Sequence, residues 1–236
     1  MRSKIKSLLG PRATTWLRCL VRGHGLPRWG NLRRTAPFSK NFGSERGTPV
    51  DRFYLHRFLA ANCGDITGNV LEIQASGYTK RYGRNVRLSH SIDINPAHGA
   101  TFTCDLAEAA RWIPPASYDC FLLPNTLQHL RDLETCLKAA LTVVKPGGVI
   151  LASAAGFIPL IPDGPDYWRL SAAGWHELTA RVWKDSEVQI ESHGNCLAVA
   201  AATMGLAWEE FREDELLVSD PLRPVLITLR CQKPGA

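Results

Sequence analysis

Between residues 69 and 154 the chain lays down five short apolar runs, most of them nearly continuous rather than alternating. They are NVLEI (69–73), the run inside VRLSHSIDI (86–94), ATFTCDL (100–106), YDCFLLP (118–124) and VILASA (149–154). A strand that is apolar on both sides is buried on both faces, and that is the habit of a parallel sheet covered by helices front and back. Helical spacing surrounds these runs. In TPVDRFYLHRFLAANCG, Thr48 is placed to cap, Pro49 suits the first helical position, and Asp51 completes a capping box. Val50, Phe53, Tyr54, Phe58 and Ala61 then share one face, and Gly64 stops the helix. LRDLETCLKAALTVVKPGG is the clearest helix, capped by Asp132, with Leu133, Cys136, Leu137, Ala140, Leu141 and Val144 in one stripe. Lys145-Pro146-Gly147-Gly148 ends it. Two further strand-like runs, EVQIESHG and PVLITLRCQK, flank an Ala-rich helical segment and an acidic loop. A last strand added antiparallel at the sheet edge accommodates them. The expected fold is α/β, Rossmann-like and doubly wound, mostly parallel, with an antiparallel last strand and an N-terminal helical extension.

The 236 residues suffice for one large domain, here 46–236, with an appendage, 1–45. The appendage is basic. Residues 1–46 hold eleven Lys/Arg and one acid, Glu45, so the remaining 190 residues carry a balance of −4 against a net charge of +6. Such an arm is either a solvated, partly flexible segment or a contact for phosphates, including nucleic acid, or for acidic lipid headgroups. Its Arg-rich, acid-poor composition also resembles an organelle transit peptide. No apolar stretch approaches the ~18 residues of a membrane span. The seven cysteines, at 19, 63, 104, 120, 136, 196 and 231, contain no Cys-x-x-Cys pair. This argues against a disulfide framework or a metal site, for a reducing compartment such as the cytoplasm, and for small buried apolar roles.

In an open parallel sheet, ligands bind beyond the carboxyl ends of the strands, where the winding reverses. Polar groups stand at those ends: Glu72, Asp93 and Asp105 close the first three runs and Asn125 follows the fourth. Asp93 lies 21 residues after Glu72, near the spacing at which a dinucleotide fold places the acid that accepts from both ribose hydroxyls. Asp105 is either an acceptor for an adenine amino group or the cap of a helix through LAEAARW.

VLEIQASGYTKRYG, SIDINP, CDL, YDCFLLPNTLQHLRD, LTVVKPGGVILAS and DYWRLSAAGWHEL, in this order and spacing, resemble the class I S-adenosylmethionine-dependent methyltransferases. The resemblance spans roughly residues 46–233 and is carried most by the fourth-strand block and VVKPGG. RGTPVDRFYLHRFL at the front, with HGNCLAVAAATMGLAWEEF and DPLRPVLITLRCQKP behind, is similar to a subgroup associated with glycan and secondary-metabolite pathways. The resemblance implies a seven-stranded sheet and S-adenosyl-L-methionine as cofactor. It further implies that Glu72, Gln74, Ala75, Ser76, Gly77, Asp93, Ile94, Asp105, Leu106 and Asn125 line the cofactor site. The family's loop is commonly acid-x-Gly-x-Gly-x-Gly; here Gln74 and Ser76 replace two glycines and Gly77 remains. A glutamine held at positive φ costs about 1 kcal/mol, which the fold can bear.

Methyl transfer needs alignment of the acceptor and, for a hydroxyl, removal of a proton. His129 in NTLQHLRD is the candidate general base, or else a packed histidine at a helix start. DGPDYWRLS places Asp166, Tyr167, Trp168 and Arg169 in one loop, either a platform for a sugar ring or planar acceptor, or a packed loop with Trp168 buried and Arg169 paired to Asp166. Arg46, Arg52 and His56 are candidates for a lid, Ser171 for the next helix cap, and His193 and Asn195 for groups facing the cleft. The expected activity is methylation of a small-molecule or glycan acceptor. The alternative is a non-catalytic relative that binds a partner through the cleft or the arm.

Overall fold

In the computed structural model the described residues are Ala13, Leu17, Cys19, Val21, 30–161 and 164–235. The basic helix read in PRATTWLRCLVRG lies outside them except at those first four positions, which are helical. Asp163 also lies outside. The chain divides into two compact units, Met1–Ala36 and Pro37–Ala236. The described part of the first includes a 3-10 turn, Gly30–Arg33.

The second unit is built on seven strands: β1 (Gly68–Ile73), β2 (Val86–Asp93), β3 (Phe102–Thr103), β4 (Tyr118–Leu123), β5 (Val144–Ala155), β6 (Glu187–His193) and β7 (Leu226–Gln232). Their order is β3-β2-β1-β4-β5-β7-β6. Strands β1 to β5 pair in parallel, whereas β7 is antiparallel to both neighbours. The antiparallel last strand is therefore present, but it lies inside the sheet and β6 forms the edge. The reason is in the pattern: β7 is buried along most of its length, while β6 alternates exposed and half-buried residues.

Seven α-helices are described: α1 (Val50–Ala61), α2 (Gly77–Tyr82), α3 (Ala109–Trp112), α4 (Leu133–Val143), α5 (Ala172–Val182), α6 (Cys196–Met204) and α7 (Glu213–Leu217). They cover both faces. One apolar cluster packs α4 and α5 against the sheet through Leu137, Val143, Phe121, Trp175 and Trp183. The other packs α1 and α6 against the opposite face through Leu55, Leu59, Val70, Leu122, Leu151 and Ala198. Asp132 caps α4 by accepting from the Thr135 N–H, and Ser171 caps α5 by accepting from Gly174.

Some expectations fail for identifiable reasons. The capping box at Thr48 does not form: α1 starts after Pro49 without a side-chain cap, and the Thr48 N–H goes to Glu209. The Asp51 carboxylate instead receives the Asn125 amide. Ala61 is exposed, because only the first three turns of α1 lie on the sheet. The Lys145–Gly148 stop is not a loop but the opening of β5, with register irregularity where it joins β4. All seven cysteines are free, yet only Cys120, Cys136 and Cys231 are buried. Among the described residues no helix is long and apolar enough to cross a membrane, and no group of three or more His, Cys, Asp or Glu is placed to hold a metal ion.

Candidate active site

The carboxyl ends of the parallel strands share one edge of the sheet, and winding reverses between β1 and β4. After β1 the backbone turns at Gln74, which has φ 66°. Its N–H donates to the Ile92 carbonyl at 2.8 Å, so the turn is tied to β2. A side chain bulkier than glycine thus adopts the glycine-like conformation, and Gln74 points to solvent. Ala75 and Gly77 are exposed too, and a Cβ placed on Gly77 would meet no atom within 4 Å. The loop leaves room for a ligand beside its backbone.

Glu72 is 1% exposed and turned inward. It accepts from the Tyr78 N–H at 3.0 Å and from the Thr79 N–H and hydroxyl, both at 2.7 Å. Burial pushes its pKa up, and these bonds oppose that shift. The carboxylate fixes the first turn of α2 and with it the loop 74–77.

Asp93 ends β2, buried, with Oδ1 accepting from the Asn95 N–H at 2.7 Å and Oδ2 2.7 Å from His98 Nδ1. A carboxylate has about four lone-pair sites, so positions remain for a diol. Ile94 beside it is an exposed apolar side chain, a surface on which a planar base can lie. Asp105 accepts from the Ala107 N–H at 2.9 Å through Oδ1 and caps a 3-10 turn, Leu106–Glu108. It is exposed, whereas the Leu106 side chain is buried in the core.

Asn125 follows β4 with φ 48°. Its N–H donates to Ser153 Oγ at 2.7 Å, that hydroxyl donates back to Asn125 Oδ1 at 3.0 Å, and Nδ2 donates to Asp51 at 2.5 Å. The nearby His129 has Nδ1 2.6 Å from the Pro165 carbonyl. A carbonyl only accepts, so Nδ1 carries the proton and Nε2 holds the lone pair. Gln128 Nε2 stands 3.0 Å from that lone pair, so both ring nitrogens have protein partners.

Helix α1 covers this region. Arg52 reaches the Tyr78 hydroxyl at 3.5 Å and lies 3.8 Å from Asp51. His56 Nδ1 is 2.7 Å from the Tyr82 hydroxyl. Burial, then the Arg81 and Arg52 charges, pull the His56 pKa below its usual value. Arg46 is engaged elsewhere, paired with Glu210 and lying over Phe38. On the far side, Arg169 binds Asp166 and the carbonyls of Gly156, Ile158 and Pro159. Tyr167 and Trp168 are exposed, and the Trp168 indole donates to the Leu130 carbonyl at 2.8 Å. His193 closes the edge strand β6, on the opposite side of the sheet from β2 and Asp93. It lines a cavity of about 400 Å³ between α1 and the last two strands, with Tyr54, Arg57, Phe58 and Arg230. Asn195 is taken up in capping α6 and in binding the Glu215 and Val218 carbonyls.

Sequence reasoning missed Tyr78, Tyr82, Gln128 and Ser153. Tyr78 and Tyr82 stand four apart, the spacing of one helix face, which was the available signal. Nothing in the sequence marks Ser153, an interior residue of a strand.

Residues 56–152 match the family described as a methyltransferase domain. No curated protein sequence matches the chain. An S-adenosylmethionine-dependent methyltransferase from Mesorhizobium loti shares 13% identity, covering 80% of this chain and 99% of that one, with a TM-score of 0.52. The [4+2]-cyclase SpnF shares 15% identity over 85% of this chain and 87% of its own, also with a TM-score of 0.52. Such likeness speaks for the fold, and two chemistries on one fold leave the reaction to the site. The open loop after β1, the ribose-competent Asp93 and the exposed Ile94 all fit S-adenosylmethionine. The sheet order and the match over residues 56–152 are those of the S-adenosylmethionine-dependent methyltransferase fold, and the chain is similar to that family.

Proposed function

We propose that the protein transfers a methyl group from S-adenosylmethionine to a hydroxyl of a small-molecule or glycan acceptor. The observation that carries this reading is the gathering of Asp93, Asp105 and the open 74–77 turn on one edge of the sheet, with residues 156–161 and 164–169 following β5 as a wall for the acceptor. When bound, the cofactor supplies an electrophilic methyl group. Asp93 accepts from the ribose hydroxyls, Ile94 faces the base, and Asp105 accepts an amino hydrogen with its second oxygen. The backbone of Gln74 to Gly77 borders the amino-acid end. Glu72 holds that backbone in place. Tyr167 and Trp168 offer ring faces to the acceptor, while Arg169 and Asp166 hold their loop.

His129 is the candidate base. Its lone pair becomes available when the acceptor hydroxyl replaces the Gln128 amide, with the Pro165 carbonyl keeping the proton on Nδ1. The His129→Ala variant is expected to slow turnover while S-adenosylhomocysteine affinity stays unchanged; full turnover removes His129 from the mechanism. A second reading, a non-catalytic binding protein, is favoured by Gln74 at the glycine position and by the occupied His129 ring. Calorimetry with S-adenosylhomocysteine separates the two. No heat of binding at millimolar ligand abandons the enzyme reading.

A further inference from the structure

Two loops at the carboxyl edge are locked together and present apolar side chains to solvent. The first follows β5 and carries Phe157 and Leu160; the second precedes β7 and carries Val218 and Leu222. All four are between 60% and 78% exposed. The exposure is built in rather than left over. Gly156 donates to the Val225 carbonyl at 2.9 Å and Phe157 to the Pro224 carbonyl at 2.7 Å. A Cβ on Gly156 would stand 2.2 Å from the Pro224 oxygen, so only glycine allows this approach. Arg169 then ties the first loop down through three carbonyls and through Asp166, whose side chain is 3% exposed. Asn195 holds the second loop at the Glu215 and Val218 carbonyls. Buried polar bonds thus keep both loops from folding their apolar residues inward.

The rim is continuous with the acceptor side of the cleft. Pro165 accepts from His129, and the Tyr167 N–H donates to the Gln128 carbonyl at 2.8 Å. Its neighbours on the second loop and α7 include Glu213, Asp214, Glu215 and Asp220, paired with Arg57, Arg212 and Arg223, which leaves no excess of positive charge there for an anionic lipid surface. Contiguous exposed apolar surface bordered by polar residues marks a binding site.

We infer that this rim is the subsite for the apolar part of an amphipathic acceptor. The acceptor's polar group enters the cleft, and an alkyl or aryl portion lies on Phe157, Leu160 and Leu222. The inference rests on reading the cleft as the methyl-transfer site.

The test titrates methyl, hexyl and octyl β-D-glucosides, below their micellar concentrations, into the full chain by calorimetry. Affinity is expected to rise by up to about fourfold per added methylene. The double variant Phe157→Ser, Leu160→Ser, and separately Leu222→Ser, are expected to flatten that dependence while S-adenosylhomocysteine affinity is kept. Equal affinity for all three glucosides overturns the inference, as does an unaltered dependence in both variants. Flotation of the chain with neutral phosphatidylcholine vesicles without glucoside binding assigns the rim to a membrane instead. A dimer in sedimentation that the same substitutions dissociate assigns it to a second copy. If S-adenosylhomocysteine fails to bind the unaltered chain, the cofactor reading falls, and the glucoside series still reports on the rim.

Discussion

Asp93 is held from two sides before any ligand arrives, by the Asn95 N–H and by His98. Such preorganisation spares a ligand the work of ordering the carboxylate, since a fixed acceptor loses little freedom on binding. Asp93→Ala removes the proposed ribose acceptor but leaves β2 paired, so the chain should fold while S-adenosylhomocysteine affinity drops at least roughly tenfold, the worth of one charge-assisted bond. Calorimetry on the folded variant checks this, and unchanged affinity refutes the ribose assignment. Gln74 shows the other residue-scale lesson. Its φ of 66° was foreseeable as a strain of about 1 kcal/mol once the loop was taken to keep a glycine-like path. That its side chain would point to solvent was not, because a rotamer direction depends on neighbours distant in sequence.

At the scale of elements, the short α2 depends on Glu72. Six residues are too few to persist alone, and a buried carboxylate supplies acceptors for two orphan N–H groups and the Thr79 hydroxyl. Glu72→Ala strips those partners and should cost about 1–3 kcal/mol. A thermal melt lowered by several degrees, together with weaker S-adenosylhomocysteine binding, is the expected result. An unshifted melt shows that α2 is secured by packing alone. Residues 156–161 and 164–169 follow the same logic, with Arg169, paired to Asp166, holding the Gly156, Ile158 and Pro159 carbonyls. From sequence these two residues read either as substrate contacts or as a pair within a packed loop; in the fold they form the pair. The strands and long helices were legible because burial on two faces and a 3.6-residue stripe leave repeating marks. The reach of β3, only Phe102–Thr103 out of ATFTCDL, was not, since strand length depends on how far the neighbour extends.

Across the whole molecule, two half-buried histidines link stability to pH. Burial depresses the pKa of His56 and of His193, the former helped by nearby arginines, the latter opposed by Glu191. Each binds a proton less readily folded than unfolded. The unfolded chain therefore takes up more protons as pH falls below about 6.5, and stability is lost through that range. The contribution is fully present above the unfolded value. Melts recorded from pH 7.5 to 5 should fall on the acid side, and the double variant His56→Asn, His193→Gln should flatten that fall. A flat profile for the parent chain rejects the linkage.

The amino-acid order alone settled the parallel α/β layering, the acids at the strand ends and the antiparallel β7. Each follows from local burial period and from spacing along the chain. Tertiary structure alone decided that Asp51 serves Asn125 and not its own helix, that Gln128 covers His129, and that β7 enters the sheet beside β5. Asp51 and Asn125 stand 74 residues apart in the sequence, and no local pattern records which distant partner a polar side chain or a strand will meet.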